Sequence, residues 1–447
     1  KRLKPLVPLY LLSQSSRGAF PPPEGINIKG IDKIFIWSGN SDLLLAIIKN
    51  TEDHLNVDFD TKRAHVPVLI YVEDSPLYYS TLLPYIYKEV VKQTQSVLAT
   101  GLNEEHRLLK MRARPKILLA RNYEDALQLY DRYTPFLLGV IADTRFPRNG
   151  KITDDAGIDL LSLIRRDFPF LPLLLMSSES KNKQKADTVP AKFIDKNSPH
   201  LISELHDFFL TDLGFGDFVF KMPDGKEIDR ASNLKEIELK ISQIPDESFI
   251  YHAQHNHFST WMMARSETGF AFALREVALS EFSNLDDARN FVTSHIHALR
   301  KWHQKGVITK FKAGDFDSDV MDLVTIGEGS IGGKARALAF LTELIYKNPK
   351  LLSKYPRFTI TIPKMLVLCT DIFDAFLSDN KLDHRDNESM SHEDINNTFL
   401  AATVPKELEE KLQAFLTKVT YPLAVRSSSL LQDTQFDPSL EGYETYM

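Results

Sequence analysis

Cysteine is almost missing from this sequence of 447 residues, which contains only Cys369. A lone cysteine cannot form an internal disulfide, which excludes the disulfide-rich secreted scaffolds. A large chain without disulfides is typical of a reducing compartment. We therefore expect a cytoplasmic protein.

Long apolar runs and an excess of positive charge are also lacking. No run approaches the roughly 18 apolar residues that a membrane-spanning helix needs. The apolar run after the basic N-terminal residues contains Pro8, and no cleavage site follows closely, so we predict a buried strand instead of a signal peptide. The formal charge of -6 argues against nucleic acid as the main partner, since phosphate neutralisation requires a concentrated basic surface. We expect neither a membrane nor a nucleic-acid partner.

The chain that remains is long enough for about three domains at roughly 100 to 200 residues each. Between residues 66 and 213, short apolar runs such as VPVLIYV, KILLA, FLLGVIA, LPLLLMS and AKFI alternate with amphipathic segments. This alternation predicts crossover units and a doubly wound parallel sheet of five strands with helices on both faces. Ligands of such sheets bind beyond the carboxyl ends of the strands.

The flanking regions differ in character. LVPLYLLSQSS near the N terminus echoes LPLLLMSSES, so residues 1–60 are predicted to be the C-terminal half of a second, degenerate copy of the same domain. An unrelated pair of strand and helix is the alternative. Helical periodicity over 215–314 predicts a helical connector. Residues 320–447 begin another α/β domain that the sequence does not complete, so we expect the chain to be a fragment.

Polar side chains follow the predicted strands of the central domain. Glu73 and Asp74 follow the first strand and Asp143 ends the third. Clustered carboxylates repel one another, and a hard cation such as Mg²⁺ relieves that repulsion. Ser177 ends the fourth strand and can bond a phosphoryl oxygen, while Lys196 follows the fifth and can neutralise it. This set indicates phosphoryl transfer to an aspartate, Asp143, with Ser177 and Lys196 as the other catalytic residues.

In their order along the chain, these residues resemble the response-regulator receiver family across about residues 66–213. The resemblance implies a flavodoxin-like fold and a histidine kinase or phosphotransfer protein as the phosphate donor. It implies that Asp143 accepts the phosphate, that Glu73, Asp74 and Asp143 hold Mg²⁺, and that Lys196 orders the phosphorylated state. The stretch from Asp74 to Asp143 is longer than is usual in the family, and Asn197 replaces the proline expected after the lysine.

A glycine-rich segment, TIGEGSIGGK, ends in Gly332, Gly333 and Lys334 and precedes a helical pattern. Its backbone amides and the helix N terminus could approach anionic oxygens. It is not a Walker loop, because Ala335 replaces the required Ser or Thr. Further on, AVRSSSLLQD places Arg426 directly after a predicted strand with hydroxyls beside it, an anion clamp. The alternative is a cluster of turn glycines and an unrelated surface arginine.

The pair GGK and VRSS, with TIPKMLVLCTDIFDAFL between them, resembles the N-terminal ATP-binding domain of the phosphoenolpyruvate synthase and pyruvate phosphate dikinase family. The resemblance covers about 320–447 and implies an ATP-grasp-like fold. It implies that Lys334 and Arg426 hold ATP phosphates, and we assign Gly332, Gly333 and Ser428 to the same site. It also implies phosphoryl transfer from ATP to an enzyme histidine and then to pyruvate or another small acceptor.

Together these patterns predict a multidomain α/β protein with two candidate functions. The first is a signalling-regulated, ATP-dependent phosphotransferase resembling phosphoenolpyruvate synthase. The alternative is a non-enzymatic phosphorelay or regulatory module with an inactive ATP-grasp portion. The family's later ATP and Mg²⁺ ligands have no counterpart here, so we expect the fragment alone to be incomplete for ATP chemistry.

A histidine cluster in YHAQHNHFSTW comprises His252, His255 and His257. This spacing could place two imidazoles near each other for a metal. Only His252 and His255 share a helical face, however, and the aromatic residues around them predict packing instead.

Overall fold

The protein is described by a computed structural model. It covers residues 8–14, 30–98, 114–348, 353–354, 357–358, 360, 362–382, 391–426 and 445–446. The chain divides into two compact units, Lys1–Ile296 and His297–Met447. None of the described helices has the length and apolar character needed to pass through a bilayer.

The first unit opens with two short parallel strands, β1 (Tyr10–Ser13) and β2 (Lys33–Ile36), followed by the long helix α1 (Asp42–Ala64). The assignment of residues 1–60 to half of a degenerate receiver-like copy stays a prediction. Helix α1 nevertheless runs through the predicted boundary at residue 60.

Five parallel strands form the central sheet. They are β3 (Val68–Val72), β4 (Lys116–Ala120), β5 (Leu137–Asp143), β8 (Leu173–Ser177) and β9 (Lys192–Asp195). Their spatial order, β4-β3-β5-β8-β9, is the 2-1-3-4-5 order of the flavodoxin-like fold, which confirms the fold predicted for 66–213. Every residue of β3, β4 and β8 is buried, as expected of a sheet covered on both faces.

Helices join these strands. They are α2 (Pro76–Leu98), α3 (Tyr123–Tyr133), α4 (Ala156–Asp167), α5 (Lys183–Thr188) and α6 (Leu201–Asp207), the last continuing as a π-helical turn, Phe208–Asp212. A two-residue hairpin follows Asp143, formed by β6 (Phe146–Arg148) and β7 (Lys151–Thr153). Its turn residues Asn149 and Gly150 both have positive φ, 51° and 73°, which this type of tight turn requires.

Helix α1 covers the outer edge of β4. The carboxylate of Asp53 is fully buried and accepts the backbone N–H of Ile117 at 3.0 Å, and the side chain of Asn50 donates to the carbonyl of the same residue at 3.1 Å. Arg114 neutralises Asp53 through two bonds of 2.8 and 3.0 Å. Val57 belongs to the apolar core of the sheet. The helix is therefore part of the same folded core.

The region predicted as a helical connector, 215–314, is mostly helical and also contains strands near both ends. It opens with an antiparallel hairpin, β10 (Phe218–Lys221) and β11 (Glu227–Ala231), and it contains β12 (Ile308–Lys310). Gly225, with φ of 89°, allows the tight turn between β10 and β11. The helices are α7 (Leu234–Ile241), α8 (Asp246–Gln254), α9 (His257–Ala264), α10 (Thr268–Arg275) and α11 (Leu285–Gln304). These helices lie in the same unit as the central sheet, except for the end of α11, which belongs to the second unit.

The second unit contains a three-stranded parallel sheet in the order β12-β13-β14, with β13 at Leu323–Ile326 and β14 at Met365–Leu368. Its helices are α12 (Gly332–Lys347), α13 (Thr370–Asp379), α14 (His392–Ala401) and α15 (Lys406–Lys418). A two-stranded sheet pairs β15 (Val425–Arg426) with β16 (Thr445–Tyr446). The predicted multidomain α/β class is confirmed.

Candidate phosphoryl-acceptor and nucleotide sites

Three carboxylates converge at the carboxyl edge of the central sheet. Glu73 and Asp74 directly follow β3, and Asp143 ends the neighbouring strand β5. One oxygen from each of the three lies within 4.8 Å of the others. Within the part of the chain that is described, this is the only group of three acidic, histidine or cysteine side chains with such ligand spacing. The topology therefore produces the acidic cluster predicted from the sequence.

Lys196 lies beside the same cluster. Its ammonium group donates to a carboxylate oxygen of Glu73 and lies 3.0 Å from Oδ1 of Asp143. Its backbone N–H donates to the carbonyl of Ser177 at 2.7 Å. This bond fixes the position of Lys196 directly after the end of β9. Asn197, in the position of the family's proline, uses its own N–H to donate to Asp195 and its side chain to donate to the carbonyl of Ser178. The substitution therefore supplies two bonds that proline could not make.

Burial and like charge both shape the electrostatics of this cluster. Burial raises the pKa of Glu73 to about 7, with Lys196 opposing and Asp143 reinforcing the shift. Burial also raises the pKa of Asp74, and the negative charge of Asp143 adds to that shift. Burial alone would lower the pKa of Lys196, but Glu73 and Asp143 outweigh it and raise that pKa. The carboxylates thus crowd one another, and one lysine neutralises only part of their charge.

Ser177 is the residue predicted to bond a phosphoryl oxygen. It is buried at the end of β8, and its neighbour Met176 pairs in register with Asp143. Its oxygen accepts the Asn182 side-chain amide at 2.9 Å and the Glu179 backbone N–H at 3.1 Å. Because both bonds are accepted by the oxygen, the hydroxyl proton remains available for donation.

Two tyrosines belong to this environment and were missed from the sequence. The ring of Tyr78 lies 4.2 Å from the Lys196 ammonium, a cation–π contact. The hydroxyl of Tyr71 is buried without a hydrogen-bond partner in the described structure, and its pKa is raised by burial and then by Glu73 and Asp143. Tyrosines in apolar strand and helix segments give no sequence signal that distinguishes them from core residues.

The glycine-rich loop differs from the prediction. Its backbone amides were expected to face an anion, but the N–H groups of Glu328 and Gly329 donate to the carboxylate of Asp371 at 2.7 and 2.9 Å. Gly332 donates to the hydroxyl oxygen of Ser330 at 3.4 Å. These three amides therefore already have acceptors within the protein.

The remaining predicted nucleotide ligands lie on separate elements. Gly332, Gly333 and Lys334 form the first turn of α12, where Lys334 is exposed. Arg426 is exposed on β15. Ser428 lies outside the described residues. Their assignment to an ATP site stays a prediction.

The histidine cluster is packed and internally hydrogen-bonded. Nε2 of His252 accepts the backbone N–H of Lys221 at 2.8 Å, so in the neutral ring Nδ1 carries the proton and donates to Nδ1 of His257 at 2.9 Å. Asn256, in the left-handed region at φ 56°, interrupts the helix and brings these two rings together. Both nitrogens of His252 are thus occupied. This supports the prediction of packing over that of a metal site.

Comparison with solved structures finds receiver domains. They are the non-phosphorylated HemR receiver domain from Leptospira biflexa (20% identity, covering 32% of this chain and 91% of that chain, TM-score 0.21) and a response regulator receiver domain protein from Clostridium thermocellum (14% identity, 33% and 94%, TM-score 0.23). The chemotaxis protein CheY4 from Vibrio cholerae also matches (16% identity, 33% and 99%, TM-score 0.20). A search of curated proteins gave no significant match.

The C-terminal part of the chain matches a family model. The model is described as the AMP/ATP-binding domain of pyruvate phosphate dikinase, and it matches residues 328–447. This range includes the glycine-rich loop from Glu328 onwards, with Lys334, and also Arg426. The resemblance predicted from those motifs is confirmed: residues 328–447 are similar to this AMP/ATP-binding domain.

Proposed function

We propose that this chain acts in a receiver-regulated, ATP-dependent phosphotransferase resembling phosphoenolpyruvate synthase, in which Asp143 takes up a phosphoryl group. The observation that carries the proposal is the grouping at one sheet edge of three carboxylates, with the Lys196 ammonium 3.0 Å from Asp143. A nucleophilic carboxylate, a cation and a hydroxyl in one site are the groups that phosphoryl transfer to aspartate needs.

The three carboxylates also suit Mg²⁺. Glu73, Asp74 and Asp143 offer hard oxygen ligands within 4.8 Å of one another. Burial, reinforced by the negative charge of Asp143, raises the pKa of Glu73 and of Asp74, and a divalent ion would offset that charge. The unpartnered buried hydroxyl of Tyr71 is a further polar group for a hydrated ion's surroundings. When bound, Mg²⁺ would neutralise charge on the transferring phosphoryl oxygens.

The chemistry at Asp143 is a displacement at phosphorus. A carboxylate oxygen of Asp143 forms a bond to the phosphorus as the bond from the donor breaks, and the bonding pair leaves with the donor's imidazole or, for acetyl phosphate, with acetate. The hydroxyl of Ser177 would donate to one phosphoryl oxygen. Lys196, freed from part of its pairing with Asp143, neutralises another.

The ATP-binding segment supplies the output. Residues 328–447 would bind ATP through the first turn of α12 and Arg426, and phosphorylation of the receiver would shift the equilibrium between two states that bind or use the nucleotide differently. The phosphate would come from a histidine kinase or phosphotransfer protein, and pyruvate or another small molecule would be the final acceptor.

The receiver part is tested by labelling the purified chain with radioactive acetyl phosphate, with and without Mg²⁺. The variant is Asp143→Ala. The control is Asp154→Ala. It removes a carboxylate that directly follows β7 and belongs to a side chain that is 81% exposed. We expect Mg²⁺-dependent, hydroxylamine-labile label in the wild type and the control and none in Asp143→Ala. Label that persists in Asp143→Ala, or no label in a folded wild type, contradicts the proposal.

The ATP part is tested separately by calorimetric titration with Mg-ATP. Lys334→Ala and Arg426→Ala should each weaken binding about tenfold or more, because a charged hydrogen bond to phosphate is lost. Absence of binding by the wild type would favour the alternative, a regulatory module whose ATP-binding portion is inactive.

A further inference from the structure

The glycine-rich loop is built around two side chains of a different element. Asp371, at the start of α13, accepts the N–H groups of both Glu328 and Gly329. Thr370 pairs reciprocally with Ser330: its hydroxyl oxygen accepts the Ser330 N–H at 3.0 Å, and its own N–H donates to the Ser330 carbonyl at 3.0 Å. Four bonds thus fix three consecutive loop residues.

Two of the four glycines of the loop, Gly327 and Gly329, are explained by these contacts, which clamp the loop. Gly327 has φ of 106°, and a Cβ on it would lie 2.5 Å from Oδ1 of Asp371. A Cβ on Gly329 would lie 2.6 Å from the Thr370 hydroxyl oxygen and 2.8 Å from the Asp371 backbone nitrogen. Both contacts are far inside van der Waals distance, so no other residue fits at either position without displacing the clamp.

The position of the clamp links it to the nucleotide site. Residues 327–330 lead directly into α12, whose first turn carries Gly333 and Lys334. The direction in which that turn faces is set by the loop before it. The loop is in turn held by α13, which follows the neighbouring strand β14 of the same sheet.

We propose that Thr370 and Asp371 are positioning residues of the nucleotide site, which fix the glycine-rich loop so that the first turn of α12 and Lys334 meet the phosphates of the bound nucleotide. This inference rests on the proposed ATP-binding function. In it, the carboxylate does not touch the nucleotide. Asp371 acts by occupying amides that would otherwise leave the loop free to adopt other conformations, each of which lowers the population competent for binding.

The opposite role for Asp371 makes a contrary prediction. A carboxylate that occupies two adjacent amides could instead compete with a phosphate for them, and its removal would then tighten binding. The close fit of Gly327 and Gly329 around Thr370 and Asp371 favours the positioning role. If Asp371 competed with a phosphate, its carboxylate would have to leave, and the loop would then have to move into the space left behind.

The experiment compares Asp371→Asn with Asp374→Asn in the full chain. Asp374 is exposed on the same helix, so the control makes the same charge change away from the loop. We expect Asp371→Asn to weaken binding of Mg-ATP about tenfold or more, since it loses a charge-assisted bond and turns an amide donor towards an N–H. Asp374→Asn should bind as the wild type does. Unchanged or tighter binding by Asp371→Asn would overturn the inference.

A second pair separates positioning from a general structural role. Thr370→Val removes the acceptor for the Ser330 N–H and should weaken binding, whereas Thr370→Ser keeps the hydroxyl and should restore it. Hydrogen–deuterium exchange without nucleotide should become faster at 328–330 in Asp371→Asn and Thr370→Val, with the urea midpoint unchanged. Faster exchange throughout the second unit would mean a merely structural role and would contradict the inference.

The two failures are distinguishable. If the wild type binds no Mg-ATP, the proposed function fails and the inference fails with it. If the wild type binds and Lys334→Ala does not, while Asp371→Asn binds normally, the nucleotide site stands and only the positioning role is refuted.

Discussion

Substitution of Gly157 by alanine tests how tightly the end of β5, which carries Asp143, is held in place. Gly157 lies in the first turn of α4, where a Cβ would be 2.0 Å from the carbonyl oxygen of Asp143 and 3.1 Å from Cα of Thr144. The glycine N–H also donates to the carbonyl of Thr144 at 3.0 Å. A normal contact needs roughly 3.5 Å, so either the helix or the end of β5 must move by about 1.5 Å.

The expected loss of stability follows from two opposing effects. Overpacking of this kind costs about 1 to 3 kcal/mol. The higher helix propensity of alanine returns up to about 1 kcal/mol. We therefore expect Gly157→Ala to lower the free energy of unfolding by about 1 to 2 kcal/mol. Because the displaced backbone is that of Asp143, labelling by acetyl phosphate should also slow, by up to roughly a hundredfold for a displacement of about 1 Å.

The matched control is Gly269→Ala. Gly269 is exposed within α10, and no atom lies within 4 Å of the Cβ that alanine would add, so this substitution should be neutral or stabilising by up to about 1 kcal/mol. Urea unfolding of the two variants and the wild type measures the free energies. A Gly157→Ala variant that is as stable as Gly269→Ala and is labelled at the wild-type rate would refute the reasoning.

Two further predictions concern buried charge. Arg114→Met leaves the fully buried carboxylate of Asp53 without its main partner and should lower the free energy of unfolding by about 3 kcal/mol. The control Arg132→Met removes an exposed ion pair and should lower it by less than about 1 kcal/mol. Equal losses for the two variants in urea unfolding would contradict this account. Burial lowers the pKa of His252 to about 3 and that of His257 to about 4, so below about pH 6.5 the unfolded chain binds protons that the folded chain does not. Stability should therefore fall as the pH falls from about 6.5 towards 4, and His257→Gln should make that slope shallower; a slope unchanged in the variant would be evidence against it.

The clustering of the candidate acceptor residues could be predicted from the sequence because the strand topology brings them together. In a parallel doubly wound sheet, residues that follow adjacent strands must meet at one edge, whatever the side chains between them do. To predict that Glu73, Asp143 and Lys196 meet, it was therefore enough to divide the sequence correctly into strands. The resemblance to the receiver family rested on the same residues.

Features that depend on contacts across the sequence could not be predicted in this way. Asp371 meets Glu328 through space, and nothing in either segment marks the pairing. His257 was judged to be out of reach of its neighbours on an uninterrupted helix, but the left-handed conformation of Asn256 broke that helix. The hairpin at 218–231 was overlooked because its short strands lie within a sequence dominated by helical periodicity.

The closure of β4 by α1 has a consequence for how the chain associates with others. An edge strand with unpaired N–H and C=O groups is a template on which another polypeptide can add a strand. Here the side chains of Asn50 and Asp53 on α1 form hydrogen bonds with both backbone groups of Ile117, so these groups are not open to another strand. A shorter piece of the protein that begins at residue 66 would lack these bonds to Ile117, and we expect it to accept a strand from another chain more readily than the longer chain does.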